Sequence, residues 1–300
     1  MERIQLTEDL SFSRVVHGLW RLAEWNLNSD QILSLIKSCQ ELGITTFDHA
    51  DIYGNYSCEN LFGEALKQEP SLRENMQIVT KCGIKLLSDK RPEHKVHHYD
   101  TSKQHILKSV DQSLNNLSTD FIDVLLIHRP DPFMNPEEVA DAFSFLKQEG
   151  KVRHFGVSNF TPSQFNLLQS YLDLPLVTNQ VEISVSYLDT FKDGTIDQCL
   201  EKRMIPMAWS PLAGGSIFQA NDEKSIRIKS VLEEIAKELG VTSIDQIMYA
   251  WLLSHPARII PIVGSGKLER IRSAVDALQI KMTREQWFKI WIASTGRPVA

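Results

Sequence analysis

The chain has 300 residues, 42% of them hydrophobic, with a net charge of −6 and a pI near 5.9. That is ample apolar material for one large domain, and it leaves no basic stretch to bind nucleic acid or an anionic membrane surface. No apolar run, "VLLI" at 124–127 included, approaches the length of a bilayer span, and Cys39, Cys58, Cys82 and Cys199 lack the spacing of a metal or redox pair.

The first ten residues, "MERIQLTEDL", carry no apolar signal core, so the expectation is a cytoplasmic protein with free thiols. "ERIQL" and "LSFSR" suggest a short hairpin, followed by a first buried strand, "RVVHGLW" (14–20). "SDQILSLIKSCQELG" predicts a helix capped by Ser29 and ended by Gly43. Strands at 45–49 and 77–83 come next, then a polar stretch, 84–99, that reads as a long loop. "TSKQHILKSVDQSLNNL" spaces Ile106, Leu107, Val110 and Leu114 on one helical face ahead of the strand "FIDVLLIH" (121–128). Asn135 and Pro136 open another helix that closes at Gly150, and Thr161 and Pro162 repeat that kind of start. The remaining strands are predicted at 153–159, 177–183, 205–210 and 258–264, with two consecutive helices before the last and two after it.

Eight strands, several apolar along their whole length, alternate with helices. Strands of that kind are buried on both faces in parallel sheets. The pattern predicts an α/β fold, a (β/α)8 TIM barrel in a single domain spanning 1–300, with an N-terminal β-hairpin and extra C-terminal helices. A doubly wound sheet is the alternative, but "HGLWRLAEWN" lacks the glycine-rich turn such sheets carry after the first strand.

In a (β/α)8 barrel, chemistry sits at the C-terminal ends of the strands. Those ends hold Asp48, Lys81, His128, Ser158 and Gln180, with Tyr53 just beyond the second strand. Taken singly, Lys81 reads as a rim lysine, His128 as a structural imidazole, Asp48 as a strand-end cap and Asp51 as a turn or capping carboxylate. Taken together they converge on one rim. A phenol is a poor acid at neutral pH, with an ordinary pKa of about 10. An ammonium beside it stabilises the phenolate, a carboxylate holds the ammonium, and a neutral imidazole orients a carbonyl oxygen. On this reading Tyr53 is a proton donor, supported by Asp48 through Lys81.

The stretch "FDHADIYGNYSCENLFGEAL", with Asp48, Ala50, Tyr53, Gly54, Glu59 and Gly63 in register, resembles the signature of the aldo-keto reductase family. "IVTKCG" at Lys81, "DVLLIHRPD" at His128 and "GKVRHFGVSNF" at Ser158 and Asn159 extend the resemblance over essentially the whole chain. Arg-Pro-Asp after the histidine and "AWSPLAGG" look more like the bacterial oxidoreductase branch. The resemblance implies NADP binding without a dinucleotide fold, with NADPH preferred and NAD possible. It implies a small-molecule aldehyde or ketone substrate and a monomer or weak oligomer.

By the same resemblance, Ser158, Asn159 and Gln180 hold the nicotinamide carboxamide and Trp209 stacks on the ring. Ser210, Pro211, Leu212 and Gly214 line the pyrophosphate. Gly264, Ser265 and Gly266 offer backbone amides, and Lys267 and Arg270 offer charge to a 2′-phosphate. This end departs from the family pattern: Gly264 stands where a lysine is usual, and Ser273 where a glutamate often meets adenine. Trp20, Trp25 and Tyr56 are candidates for the substrate-pocket wall. His94, His97 and His98 lack a defined metal-ligand pattern, and Cys82 reads as a buried thiol. Two competing functions are a nucleotide-binding regulatory subunit and a Schiff-base lyase using Lys81.

Overall fold

The computed structural model describes residues 1–299. An antiparallel hairpin opens the chain, pairing β1 (Arg3–Gln5) with β2 (Ser11–Ser13) and setting buried Ile4 opposite buried Phe12. The Ser13 hydroxyl accepts from the Thr45 and Thr46 amides, and Arg3 reaches Thr45 and Gln77. These partners lie at the N-terminal ends of the strands that follow, so the hairpin covers the end of the barrel opposite the predicted chemistry.

The next strands are β3 (Val16–Gly18), β4 (Thr46–Asp48) and β5 (Gln77–Cys82). A small antiparallel pair, β6 (Ile84–Lys85) with β7 (His98–Tyr99), stands outside the barrel. Then come β8 (Ile122–Ile127), β9 (Val152–Ser158), β10 (Leu176–Glu182), β11 (Met207–Trp209) and β12 (Ile260–Val263). The eight strands other than the two antiparallel pairs close into a parallel barrel. Every predicted strand overlaps one of them. All six residues of β8 are buried, which is why "IDVLLI" reads as apolar throughout. Its one charge, Asp123, bonds to the buried Arg73 guanidinium at 2.8 Å.

The helices are α1 (Ser29–Glu41), the single turn α2 (Tyr53–Tyr56), α3 (Cys58–Leu66), α4 (Lys103–Leu117), α5 (Pro136–Gln148) and α6 (Pro162–Gln169). They continue with α7 (Thr195–Lys202), the short α8 (Ser216–Gln219), α9 (Glu223–Glu238), α10 (Ile244–Leu253), α11 (Leu268–Asp276) and α12 (Arg284–Thr295). Asn135 and Thr161 cap α5 and α6 as predicted. Helix α1 differs: Asn28, not Ser29, is its cap, because Asn28 and Gln31 form a reciprocal capping box. The 84–99 stretch also differs. It folds back on itself through β6 and β7 and a bridge between Ser88 and Arg91, pairings too short to leave a sequence period.

The chain divides into two compact units. The first comprises residues 1–179 with 264–268. There α3 and α4 approach so closely that a Cβ on Gly63 would lie 1.9 Å from the Asn116 carbonyl oxygen. The second unit comprises 180–263 and the chain from 269 onward. Its core gathers Ile228, Leu232, Ile247, Trp251 and Ile290 from α9, α10 and α12. Trp251 and Trp287 stack at 4.8 Å, and each indole N–H donates to the other residue's carbonyl.

Candidate active site

The backbone after β4 does not leave the sheet at once. His49 N–H donates to the Val79 carbonyl at 2.8 Å and Asp51 N–H to the Lys81 carbonyl at 3.1 Å. Residues 49–51 therefore run along β5 and deliver Tyr53 to the level of Lys81. The chain then takes an unusual turn: Gly54, Asn55 and Tyr56 have φ of 58°, 53° and 62°. Three successive left-handed residues, two of them not glycine, carry strain that the surroundings must hold. Gly54 has no alternative, since a Cβ there would lie 2.6 Å from Cys58 Sγ and 2.8 Å from Ala23 Cβ.

Lys81 is wholly enclosed, at 0% exposure, which removes the rim-lysine reading. Its ammonium has three N–H groups. They meet the Asp48 carboxylate, with both oxygens at 2.8 Å, the His49 carbonyl at 2.6 Å and the Tyr53 hydroxyl oxygen at 3.2 Å. Partners and donors match in number. The Tyr53 oxygen is the acceptor in this contact, so its own proton is free to be donated elsewhere.

Electrostatics follow the geometry. Burial pulls the Lys81 ammonium down, but Asp48 and then Tyr53 outweigh it, and its pKa ends above the ordinary value. For Tyr53, burial pushes the phenol up, Lys81 pulls it back, Asp48 adds to the rise, and the net direction is upward. The pull from the ammonium expected from the sequence is present, but desolvation of the phenol outweighs it. His128 lies on the other side of Tyr53, ring centroids 5.8 Å apart and nearly perpendicular. Burial first, then Lys81 and Arg129, hold His128 well below the ordinary imidazole range, so it is uncharged at neutral pH. Its Nδ1 is buried and has no partner among the described residues.

Asp51 caps no helix. Burial and the neighbouring Glu59 push its carboxyl well above the usual carboxylate range, and its Oδ1 is buried without a partner among the described residues. Glu59 accepts from Thr80 at 2.6 Å and from Asn116 at 3.4 Å, tying α3 to β5 and α4. His49 packs edge-on against Phe62 and is drawn down to about 3 by burial, Lys81 and His17. Cys82 is buried and its thiol is raised well above the ordinary value, in keeping with an inert thiol.

The other predicted residues are placed as follows. In the first unit, Ser158 ends β9 and Asn159 follows in the left-handed region, φ 61°, its amide donating to Ser158 Oγ at 2.8 Å. Thr161, not this pair, caps α6. Gly264 is exposed, and Lys267 N–H donates to Ser265 Oγ at 3.2 Å. In the second unit, Gln180 is buried beside Met207, and Trp209 ends β11 half-buried. The turn after it bends through positive φ at Ser210, Ala213 and Gly214, past Pro211 and Leu212. A Cβ on Gly214 would meet nothing within 4 Å among the described residues. Lys267 and Arg270 are exposed and have no carboxylate partner among the described residues. Within the first unit, the exposed Gly264 backbone and the Lys267 ammonium are groups of the kind that receive an anion.

Of the three pocket-wall candidates, Trp20 is 57% exposed next to the Asp48 strand end, and the Arg21 guanidinium lies 5.0 Å from its ring centre. Tyr56 accepts at its hydroxyl from Leu86 N–H at 2.8 Å, and Arg91 lies over its ring at 4.9 Å, so it anchors the 84–99 hairpin. Trp25 packs on Gly266 and on His17. His17 and Arg91 were not among the predicted site residues; for His17, an imidazole inside the apolar run "RVVHGLW" was the available signal. Among the described residues no three His, Cys, Asp or Glu side chains are placed to hold a metal ion. Among the described residues no helix is long and apolar enough to cross a membrane.

Comparison with known proteins bears on this geometry. The model of the Aldo/keto reductase family matches residues 14–293. The chain is 60% identical over 296 residues to the oxidoreductase YcsN of Bacillus subtilis (strain 168), covering 99% of each protein. It is 45% identical over 301 residues to a 6-dehydroglucose reductase of Agrobacterium fabrum, covering 100% of each. Among solved structures, the thermostable aldo-keto reductase Tm1743, crystallised with the inhibitor epalrestat, superposes with a TM-score of 0.81 at 28% identity. That match covers 98% of this chain and 99% of the other.

Proposed function

The chain belongs to the aldo/keto reductase family, and from that premise we propose that it is an NADPH-dependent reductase of an aldehyde or ketone, with Tyr53 as the proton donor. The observation that carries this reading is the Lys81 ammonium donating to the Tyr53 oxygen while Asp48 grips it from behind. When bound, the nicotinamide supplies the hydride. The protein's own groups handle the oxygen. Like any phenol, with an ordinary pKa of about 10, Tyr53 is protonated at neutral pH, and the upward direction of its shift keeps it so; the acid is loaded before reaction. As the proton leaves, the phenolate forms against an ammonium already bonded to it, without reorganisation. His128, uncharged and perpendicular to Tyr53, orients the carbonyl.

Ser158, Asn159 and Gln180 hold the carboxamide in this reading, Trp209 stacks on the ring, and Lys267 with Arg270 receives the 2′-phosphate. The sugar-aldehyde substrate named for the Agrobacterium relative suggests a polyhydroxylated aldehyde here. The exposed indole of Trp20 supplies an amphipathic face for such a ring. The lyase reading is disfavoured, because Lys81 is held protonated and all its N–H groups are engaged. The test is NADPH oxidation over a panel of sugar aldehydes and simple aldehydes, with NADH in parallel. Turnover with none of them, despite tight nucleotide binding, would favour a regulatory subunit instead.

A further inference from the structure

Three contacts converge on the segment that follows β12. His17, buried in β3, places Nε2 2.9 Å from the Ser265 carbonyl oxygen. Burial draws His17 down to about 4, so at neutral pH the ring is uncharged and has one N–H. Opposite a carbonyl, that N–H sits on Nε2 and donates. Trp25 stacks on His17, with ring centroids 5.8 Å apart and planes 23° apart. Trp25 also lies flat against Gly266: a Cβ on that glycine would come within 2.7 Å, 2.8 Å and 3.0 Å of three indole carbons. Phe47, from the strand that carries Asp48, closes on His17 from the side at 6.1 Å. Ser265 is thus held by its carbonyl and Gly266 by its α-carbon, while Gly264 and Lys267 on either side remain exposed.

We propose that His17 and Trp25 are positioning residues for the cofactor: together they seat Ser265 and Gly266, so that Gly264 and Lys267 are presented in one fixed shape to the phosphate of the bound nucleotide. The inference rests on the NADPH reading above. It moves Trp25 from the substrate side, where its position after the first strand suggested it belonged, to the nucleotide side. Gly266 is required here by the nearness of the indole, not by backbone conformation. Pre-shaping this segment lowers the ordering cost that a flexible loop imposes on binding.

The experiment is calorimetric titration of the full-length protein with NADPH and NADH, for wild type, His17→Phe, Trp25→Ala, Trp25→Phe and Gly266→Ala. Calorimetry avoids a fluorescence signal that the Trp25 variants would alter. His17→Phe removes the donor, Trp25→Ala removes the platform, and Gly266→Ala pushes a methyl into it without touching the core. Each should raise the Kd for NADPH about tenfold and that for NADH by less than about threefold, since the seated segment serves the extra phosphate. Trp25→Phe should recover most of the loss. General destabilisation would not change the NADPH to NADH ratio. An unchanged ratio in the variants, Gly266→Ala included, overturns the seat while leaving the reductase reading intact. A wild-type protein that binds neither nucleotide overturns the cofactor reading, and the seat with it.

Discussion

The Lys81 ammonium nitrogen lies 3.2 Å from the Tyr53 hydroxyl oxygen and is the donor in that contact. The direction of this hydrogen bond organises the site. An oxygen that accepts from an ammonium has its proton turned outward, and losing that proton converts the contact into an ion pair.

Tyr53→Phe removes the proposed proton donor and leaves the aromatic volume. Carbonyl reduction should fall by about 10²–10⁴, the usual worth of a positioned acid, while nucleotide affinity stays near that of wild type. Steady-state kinetics beside a binding titration checks both. Undiminished turnover would end the assignment of Tyr53 as the acid.

Lys81→Met leaves the Asp48 carboxylate buried without its counter-charge. The expected cost is about 3–5 kcal/mol of stability, together with loss of turnover. Replacing both partners, Lys81→Met with Asp48→Leu, should recover much of the stability and none of the activity. Urea melts of the two variants separate the roles; equal melts would mean that the unpaired Asp48 carboxylate carries no penalty.

Stability should decline as pH falls from about 6.5, the ordinary imidazole value. His17 and His105 are drawn down to about 4, His49 to about 3, and His128 is held well below its ordinary value. The unfolded chain takes up protons on these rings that the native protein refuses, so their contribution is present above 6.5 and lost on acidification. Asp51 and Glu59, raised in the native state, act in the opposite sense and soften the decline. With His154 and His255 also lowered by burial, six imidazoles against two raised carboxyls leave a net loss between pH 6.5 and 4. Denaturant midpoints at pH 7 and 4.5 test this, and an equal or higher midpoint at 4.5 would contradict it.

Tyr56→Phe deletes the hydroxyl that accepts from Leu86 N–H. The ring and its contact with Arg91 remain, so global stability should drop by only about 1 kcal/mol. The 84–99 hairpin should exchange its amide hydrogens faster, and substrate KM should rise more than nucleotide KM. Exchange as slow as in wild type would show that the hairpin is held elsewhere.

Much of this was legible before folding. Buried parallel strands show as apolar runs, and the residues that end them, Asp48, Lys81 and His128, interrupt those runs visibly. The capping box at Asn28 was readable too, since Gln31 stands three residues on, but Ser29 offered an equally good hydroxyl next door. Other features had no sequence signal. The net upward shift of Tyr53 depends on how deeply its oxygen lies, which no local pattern encodes. β6 and β7 are two residues each, shorter than any period. Trp25 meets Gly266 across more than two hundred residues of chain, and an indole in a loop does not announce which partner it will find.

The left-handed turn from Gly54 to Tyr56 has a practical consequence for engineering. The 84–99 hairpin is fastened to a residue only three positions past the proposed proton donor, through a backbone in which Gly54 leaves no room for a side chain. A hairpin transplanted from a relative would arrive without its anchor, or would pull on the donor through the wrong one. The exchangeable module is therefore discontinuous: residues 54–56 and 84–99 travel together, and a chimaera cut between them parts the hairpin from its anchor.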